Sequence, residues 1–314
     1  MTREGIYGLY AAVLTPRNPD DSINVPAFRR SLEFLLHRGI SSFVLNGATG
    51  EFCLTTARHL RTLLDVVREV GGSQTQFLCG VGAAGIARAI EYGKIAQQGG
   101  AQGLLLPMPY FFHYQQDDLE QFCRTVAHAV DMPFLLYNLP QFSSGLNKET
   151  VRRLILEVPN IIGIKDSSGL LDILRDLTEH RIQACRMVGS DSVLAPALSE
   201  GICDGVISGI ASVLPELVQN IYALREQPAS AEFRKCSQLL NQFIEQLDVF
   251  PAPWGLKWIS EARGITQAVL AQPASERRSQ QRREFVEWFL HSRATAISAA
   301  VVPGLSEPAR PWNP

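Results

Sequence analysis

Lys165 closes an apolar run, Ile161-Ile162-Gly163-Ile164-Lys165, and is followed by Asp166-Ser167-Ser168-Gly169. A strand of this composition delivers one amine to the end of a sheet. In water a lysine amine stays protonated, with a pKa near 10.4, and nucleophilic work requires a value of about 7 to 8. Desolvation supplies that difference inside a dry cavity, whereas an amine that reaches bulk solvent gains nothing. The bland alternative is a strand-end lysine pointing into water.

A second apolar run, Phe134-Leu135-Leu136-Tyr137-Asn138-Leu139-Pro140, ends in a tyrosine. If both runs are neighbouring strands of one parallel sheet, Tyr137 shares a rim with Lys165. Its phenol is then placed to pass a proton to or from a carbinolamine and a new carbonyl oxygen. The alternative is a core tyrosine with a satisfied hydroxyl. A third segment, Asn46-Gly47-Ala48-Thr49-Gly50-Glu51, is a glycine-flanked turn with a hydroxyl. Free backbone N–H groups in such a turn suit a carboxylate.

The elements that must position these groups can be read from periodicity. Short apolar or β-branched runs fall at Gly8 to Leu14, Ser42 to Leu45, Gln76 to Cys79, Gly103 to Leu106, Phe134 to Tyr137, Ile161 to Lys165, Arg186 to Gly189 and Gly205 to Ser208. Helical spacing lies between them, as in Leu60, Leu63, Leu64 and Val67. Eight such alternations predict an α/β fold, a (β/α)8 TIM barrel, with an open doubly wound sheet as the alternative. The expected organisation is a catalytic barrel over 1–230, a C-terminal helical region over 231–294 and an Ala/Pro-rich tail over 295–314. Ala231 to Leu247, Trp254 to Glu261 and Glu276 to His291 are the predicted appended helices, with Pro251-Ala252-Pro253 separating the first two.

Composition narrows the partners. A formal net charge of -2 without charge runs argues against a nucleic-acid surface and leaves a small molecule as the expected partner. No run is long and apolar enough for a signal core or membrane span, so a cytoplasmic location is expected. The six cysteines are scattered and read as reduced packing residues. The six histidines are too dispersed for a metal signature, and only His113 falls in a strand-following loop. Gly80-Val81-Gly82-Ala83-Ala84-Gly85 fits G-x-G-x-x-G. However, Gly99-Gly100-Ala101-Gln102 offers no acidic side chain where a ribose would be held, so a tight βα turn is the better reading. Neither a metal nor an organic cofactor is expected.

The turn at Thr49, the YNLP element at Tyr137 and the GIKD element at Lys165, with Gly205-Val206-Ile207-Ser208 after them, resemble the dihydrodipicolinate synthase and N-acetylneuraminate lyase family. The resemblance runs from about Gly5 to Arg263. It implies a Schiff-base lyase, an aldolase or dehydratase acting on pyruvate or a pyruvate-yielding 2-keto acid, usually a homotetramer. Lys165 then matches the Schiff-base lysine, Tyr137 the proton-shuttling phenol, and Ala48 and Thr49 the carboxylate site.

Three departures weaken the synthase reading, in which aspartate semialdehyde is the second substrate. Ala48 stands where the family commonly has a hydroxyl, Phe111 stands where synthases place a second tyrosine, and Gln141-Phe142-Ser143-Ser144 lacks the carboxylate-clamping arginine. Gly189-Ser190-Asp191-Ser192 and Ser208 at later strand ends offer hydroxyls and a carboxylate that suit a polyhydroxylated chain, as in a 2-keto-3-deoxy sugar acid, or else cap the following helices, and Ile207 beside Ser208 is expected at the same substrate site. Glu51 and Asp166 are expected to orient loops, Glu51 by capping amides and Asp166 by opening the next helix. The non-catalytic alternative is a barrel that senses a keto acid.

Overall fold

Residues 5–72 and 75–293 are described by a computed structural model; the expected tail over 295–314 lies outside them. Eight parallel strands close into a barrel in sequence order. They are β1 (Gly8–Ala12), β2 (Ser42–Leu45), β3 (Gln76–Gly80), β4 (Gly103–Pro107), β5 (Phe134–Asn138), β6 (Ile161–Asp166), β7 (Cys185–Val188) and β8 (Gly205–Ser208). Closure is made by β1 on β8, with Gly8 opposite Gly205 and Ala11 opposite Ser208. The open doubly wound sheet is thereby excluded.

Each strand is followed by a helix that covers the barrel: α1 (Val25–His37), α2 (Ala57–Gly71), α3 (Ile86–Gln98), α4 (Gln116–Ala129), α5 (Lys148–Glu157), α6 (Asp172–Glu179), α7 (Leu194–Glu200) and α8 (Pro215–Ala223). The starts of α1, α2, α4 and α5 follow side-chain caps that satisfy otherwise orphaned amides. Thr56 accepts from His59 N at 3.2 Å before α2, and Asn147 accepts from Thr150 N at 2.8 Å before α5. The residues between strand and helix carry the polar and glycine-rich segments singled out above.

Alternation along the strands sorts two cores. Phe134 and Leu136 of β5 face the helices, whereas Leu135 and Tyr137 face the barrel interior with Tyr10, Val44, Leu105, Met187 and Ile207. In β6, Ile164 faces the helices, so Lys165 turns inward beside its register partner Tyr137. A register shift between Phe134 and Leu135 opposite Ile161 and Gly163 precedes this pair.

Three more helices, α9 (Ala231–Leu247), α10 (Trp254–Ala262) and α11 (Glu276–Trp288), follow the barrel. Ser230 caps α9 by accepting from Phe233 N at 3.1 Å. Phe233, Cys236, Leu239, Leu240 and Phe243 bury its inner face. An aromatic cluster holds the three together: the Phe243 ring of α9 lies 5.3 Å from Trp288 of α11, and the Phe250 ring lies 4.8 Å from Trp258 and 5.2 Å from Phe285. Among the described residues no helix is long and apolar enough to cross a membrane.

Candidate active site

Lys165 and Tyr137 meet at the C-terminal end of the barrel. Both are 3% exposed, and the Lys165 Nζ lies 4.0 Å from the Tyr137 ring centroid. The amine therefore sits over the π face of the phenol ring. The pair lines a cavity of about 470 Å³ shared with Ala48, Thr49, Gly189 and Asp191.

Gly189 is what lets the lysine lie there. A Cβ on it would stand 2.7 Å from Lys165 Cε, 2.9 Å from Lys165 Cγ and 2.2 Å from Ser167 Oγ. The lysine chain and the serine hydroxyl thus cross the bare Cα of the residue after β7. Ser167 Oγ is sealed from solvent and has no hydrogen-bond partner among the described residues. This hydroxyl is a cavity group that strand-end reasoning passed over, although Ser167 is only two residues beyond the lysine.

The turn after β2 is wound by its own backbone. Gly50 N donates to Gly47 O at 3.1 Å, Glu51 N to Ala48 O at 2.9 Å and Phe52 N to Gly47 O at 3.2 Å. Asn46 adopts a left-handed φ of 54° and donates its Nδ2 to Gly80 O at 2.7 Å. Among the described residues, neither the Ala48 nor the Thr49 amide meets a backbone acceptor, which leaves both donors for an anion. Thr49 Oγ1 would be 2.9 Å from a Cβ on Gly209, so its hydroxyl packs against the segment after β8.

Of the groups considered for a polyhydroxylated chain, Gly189, Ser190, Asp191 and Ser192 line the cavity, whereas Ile207 and Ser208 do not. Ile207 belongs to the barrel interior. Ser208 Oγ accepts from Ala211 N at 3.0 Å, which is the capping role. Asp191 Oδ2 accepts from Ile210 N at 3.3 Å, while its Oδ1 is sealed from solvent and unpartnered. Burial lifts the Asp191 carboxyl above the usual range, against the opposing pull of the Ser208 hydroxyl, the Ile210 amide and the Lys165 charge.

The two loop-orienting carboxylates act differently from expectation. Asp166 does not open a helix, since α6 begins at Asp172. Its Oδ1 instead accepts from Asn138 Nδ2 at 3.1 Å and from Ser168 N at 3.0 Å, bracing β5 against the loop after β6. Burial raises its pKa, against those hydrogen bonds. Among the described residues Glu51 accepts from no backbone amide. Its Oε2 lies 2.6 Å from Lys257 Nζ, and both side chains are buried.

His113 is exposed and does not line the cavity. The glycines of the G-x-G-x-x-G segment serve packing: a Cβ on Gly80 would be 2.0 Å from Asn46 O, and one on Gly82 would be 2.5 Å from the Phe52 ring. Phe111 has a φ of 85° and is 84% exposed. It lines an adjoining, mostly apolar cavity of about 330 Å³ with Phe52, Tyr110 and Phe142.

Sequence reasoning missed the far wall of the site. Ile244 and Leu247 of α9, Phe250 to Pro253, and Gly255 and Leu256 around α10 close the cavity from the C-terminal helices. Gln141 and Phe142 stand on the opposite side, and Gln141 Nε2 donates to Ser167 O at 3.0 Å. Among the described residues Lys165 is the single cationic side chain in this lining.

Comparison with known proteins follows this geometry closely. The profile of the Dihydrodipicolinate synthetase family matches residues 6–291. A 4-hydroxy-tetrahydrodipicolinate synthase of Azoarcus sp. (strain BH72) is 30% identical over 269 residues, 85% of this chain and 92% of that protein. The solved 4-hydroxy-tetrahydrodipicolinate synthase of Methylacidiphilum fumariolicum SolV superposes with a TM-score of 0.84 at 26% identity, covering 95% of this chain and all of that one. An N-acetylneuraminate lyase from Mycoplasma synoviae shares the fold, with a TM-score of 0.77 at 20% identity over 90% of this chain and 98% of that one.

Proposed function

The chain belongs to the Dihydrodipicolinate synthetase family, whose members are lyases of the class I aldolase type, and from that premise we propose that it forms a Schiff base at Lys165 with a 2-keto-3-deoxy sugar acid. Lys165 Nζ adds to the keto carbon, giving a carbinolamine, and water leaves to give an iminium ion. The iminium withdraws electrons from the adjacent carbon, so cleavage of the next C–C bond releases an aldehyde and leaves an enamine. Protonation of the enamine and hydrolysis return pyruvate and the free amine. Loss of a hydroxyl as water, in place of C–C cleavage, is the dehydratase variant of the same intermediate.

Tyr137 relays the protons of these steps, because it is the phenol next to the amine in register and space. The Ala48 and Thr49 amides, with the Thr49 hydroxyl, take the keto-acid carboxylate. The carrying observation is a buried amine over a buried phenol, in one cavity with a turn whose Ala48 and Thr49 amides meet no backbone acceptor among the described residues. Retention of that pair speaks against the keto-acid sensor.

The substrate class follows from the rest of the lining. Ser190, Ser192 and the Asp191 carboxyl along the lining offer hydroxyls and a carboxylate to the hydroxyls of a substrate chain. No second cation lines the cavity among the described residues, so a second carboxylate would go unmatched. A panel of 2-keto-3-deoxy acids assayed for pyruvate release tests the reading, and release from none of them would sink it.

The second reading is the synthase reaction, condensation of pyruvate with aspartate semialdehyde; the relatives are named 4-hydroxy-tetrahydrodipicolinate synthases. Incubation with both substrates is expected to give little heterocyclic product, and efficient turnover would reverse the order of the two readings. A cytoplasmic homotetramer is the assembly proposed. It would give the exposed Phe111 and Phe112 a partner, and analytical ultracentrifugation reads its mass directly.

A further inference from the structure

The geometry points to Lys257 as a positioning residue: through its ion pair with Glu51, α10 holds the Ala48–Thr49 turn in the shape that receives a carboxylate. The inference rests on the reading of that turn as the keto-acid carboxylate site. Lys257 Nζ lies 2.6 Å from Glu51 Oε2, with the two side chains only 6% and 8% exposed. The same Nζ donates to Val269 O at 2.8 Å, tying the lysine to the segment after α10 as well.

Glu51 needs such a restraint. It holds a left-handed φ of 55°, which an L-residue adopts only when its surroundings enforce it. It is also the hinge of the turn: its amide donates to Ala48 O, and the Gly47 carbonyl takes the Phe52 amide just beyond it. If Glu51 relaxes, the Ala48 and Thr49 amides lose their common direction. Leu256 lines the cavity and, with Thr49, flanks Gly209. Two consecutive residues of one helix therefore bear on the site, Lys257 by its ion pair with Glu51 and Leu256 by lining the cavity beside Gly209.

Removing one partner strands a buried charge, whereas removing both charges does not. That asymmetry separates a positioning role from a merely structural one. Full-length Lys257→Met, Glu51→Gln and the combined Glu51→Gln/Lys257→Met proteins are compared with wild type in three measurements. These are thermal unfolding, amide hydrogen exchange over 46–54, and the pyruvate concentration that half-saturates borohydride trapping.

The expected result is a lowered Tm in the single variants that the combined variant recovers. Exchange over 46–54 stays accelerated in all three, and half-saturating pyruvate rises by roughly 10- to 100-fold. The trapping rate at saturation changes little, so the loss appears in binding rather than in chemistry. Recovery of Tm together with wild-type exchange and wild-type half-saturation in the combined variant overturns the proposal. If wild type itself is never trapped, the keto-acid reading fails, and hydrogen exchange alone then decides whether α10 holds the turn.

Discussion

Gly189→Ala isolates the placement of the amine from every other feature of the site. The backbone of Gly189 is outside the left-handed region, so alanine is conformationally acceptable there and its smaller unfolded-state entropy favours folding by about 0.4–1 kcal/mol. The added methyl, however, would sit 2.7 Å from Lys165 Cε and 2.9 Å from Lys165 Cγ. Carbon atoms in contact prefer about 3.5–4.0 Å, so the lysine must retreat by roughly 1 Å. A displacement of that size at a nucleophile lowers the rate by about 100-fold, or close to 2.7 kcal/mol of activation free energy. Overpacking costs stability about 1–3 kcal/mol. The assay is steady-state pyruvate release alongside thermal unfolding. Combining Gly189→Ala with Ser167→Ala separates the contacts, since it relieves the 2.2 Å approach to Ser167 Oγ but not those to Lys165. Wild-type turnover in the single variant, or full rescue by the double, would refute the placement of Lys165 across Gly189.

Tyr137→Phe keeps the ring beneath the amine and removes the hydroxyl, so turnover is expected to fall by about 10²- to 10⁴-fold while the fold is retained; unchanged kcat would remove Tyr137 from the proton relay. Asp191→Asn tests the buried carboxyl. Because the folded pKa of Asp191 is raised, the unfolded chain ionises first, and native stability falls as pH rises from about 3.9 toward the folded value. The variant is therefore expected to gain Tm relative to wild type at neutral pH and to show no such gain below about pH 4. A gain that is independent of pH would contradict the burial argument. The Ser208 capping contact predicts that Ser208→Ala lowers stability by about 0.5–2 kcal/mol with little effect on KM, read from parallel denaturation and kinetics.

The barrel and the amine were legible from sequence for a local reason. A buried parallel strand must be apolar on both faces, so β4, β5 and β6 appear as short continuous runs, and a lysine at the end of one is conspicuous. The C-terminal helices were legible too, and α9 spans the residues its periodicity marks. What sequence did not carry is contact between distant segments. The Glu51–Lys257 pair joins residues from β2's turn and α10, and neither spacing nor composition registers it. A lysine inside the apolar run Trp254-Gly255-Leu256-Lys257-Trp258-Ile259 is the one signal that was available. Likewise Ser208 and Asp191 look equivalent as strand-end polar residues, and both accept from an amide of the segment after β8, yet only Asp191 lines the cavity.

The account stands on imine formation at a single buried amine. Borohydride reduction in the presence of pyruvate, followed by peptide mass spectrometry, reads it directly. A reduced pyruvyl adduct on Lys165, absent from Lys165→Ala, is the predicted result. An unmodified chain, or an adduct carried by another lysine, would contradict it.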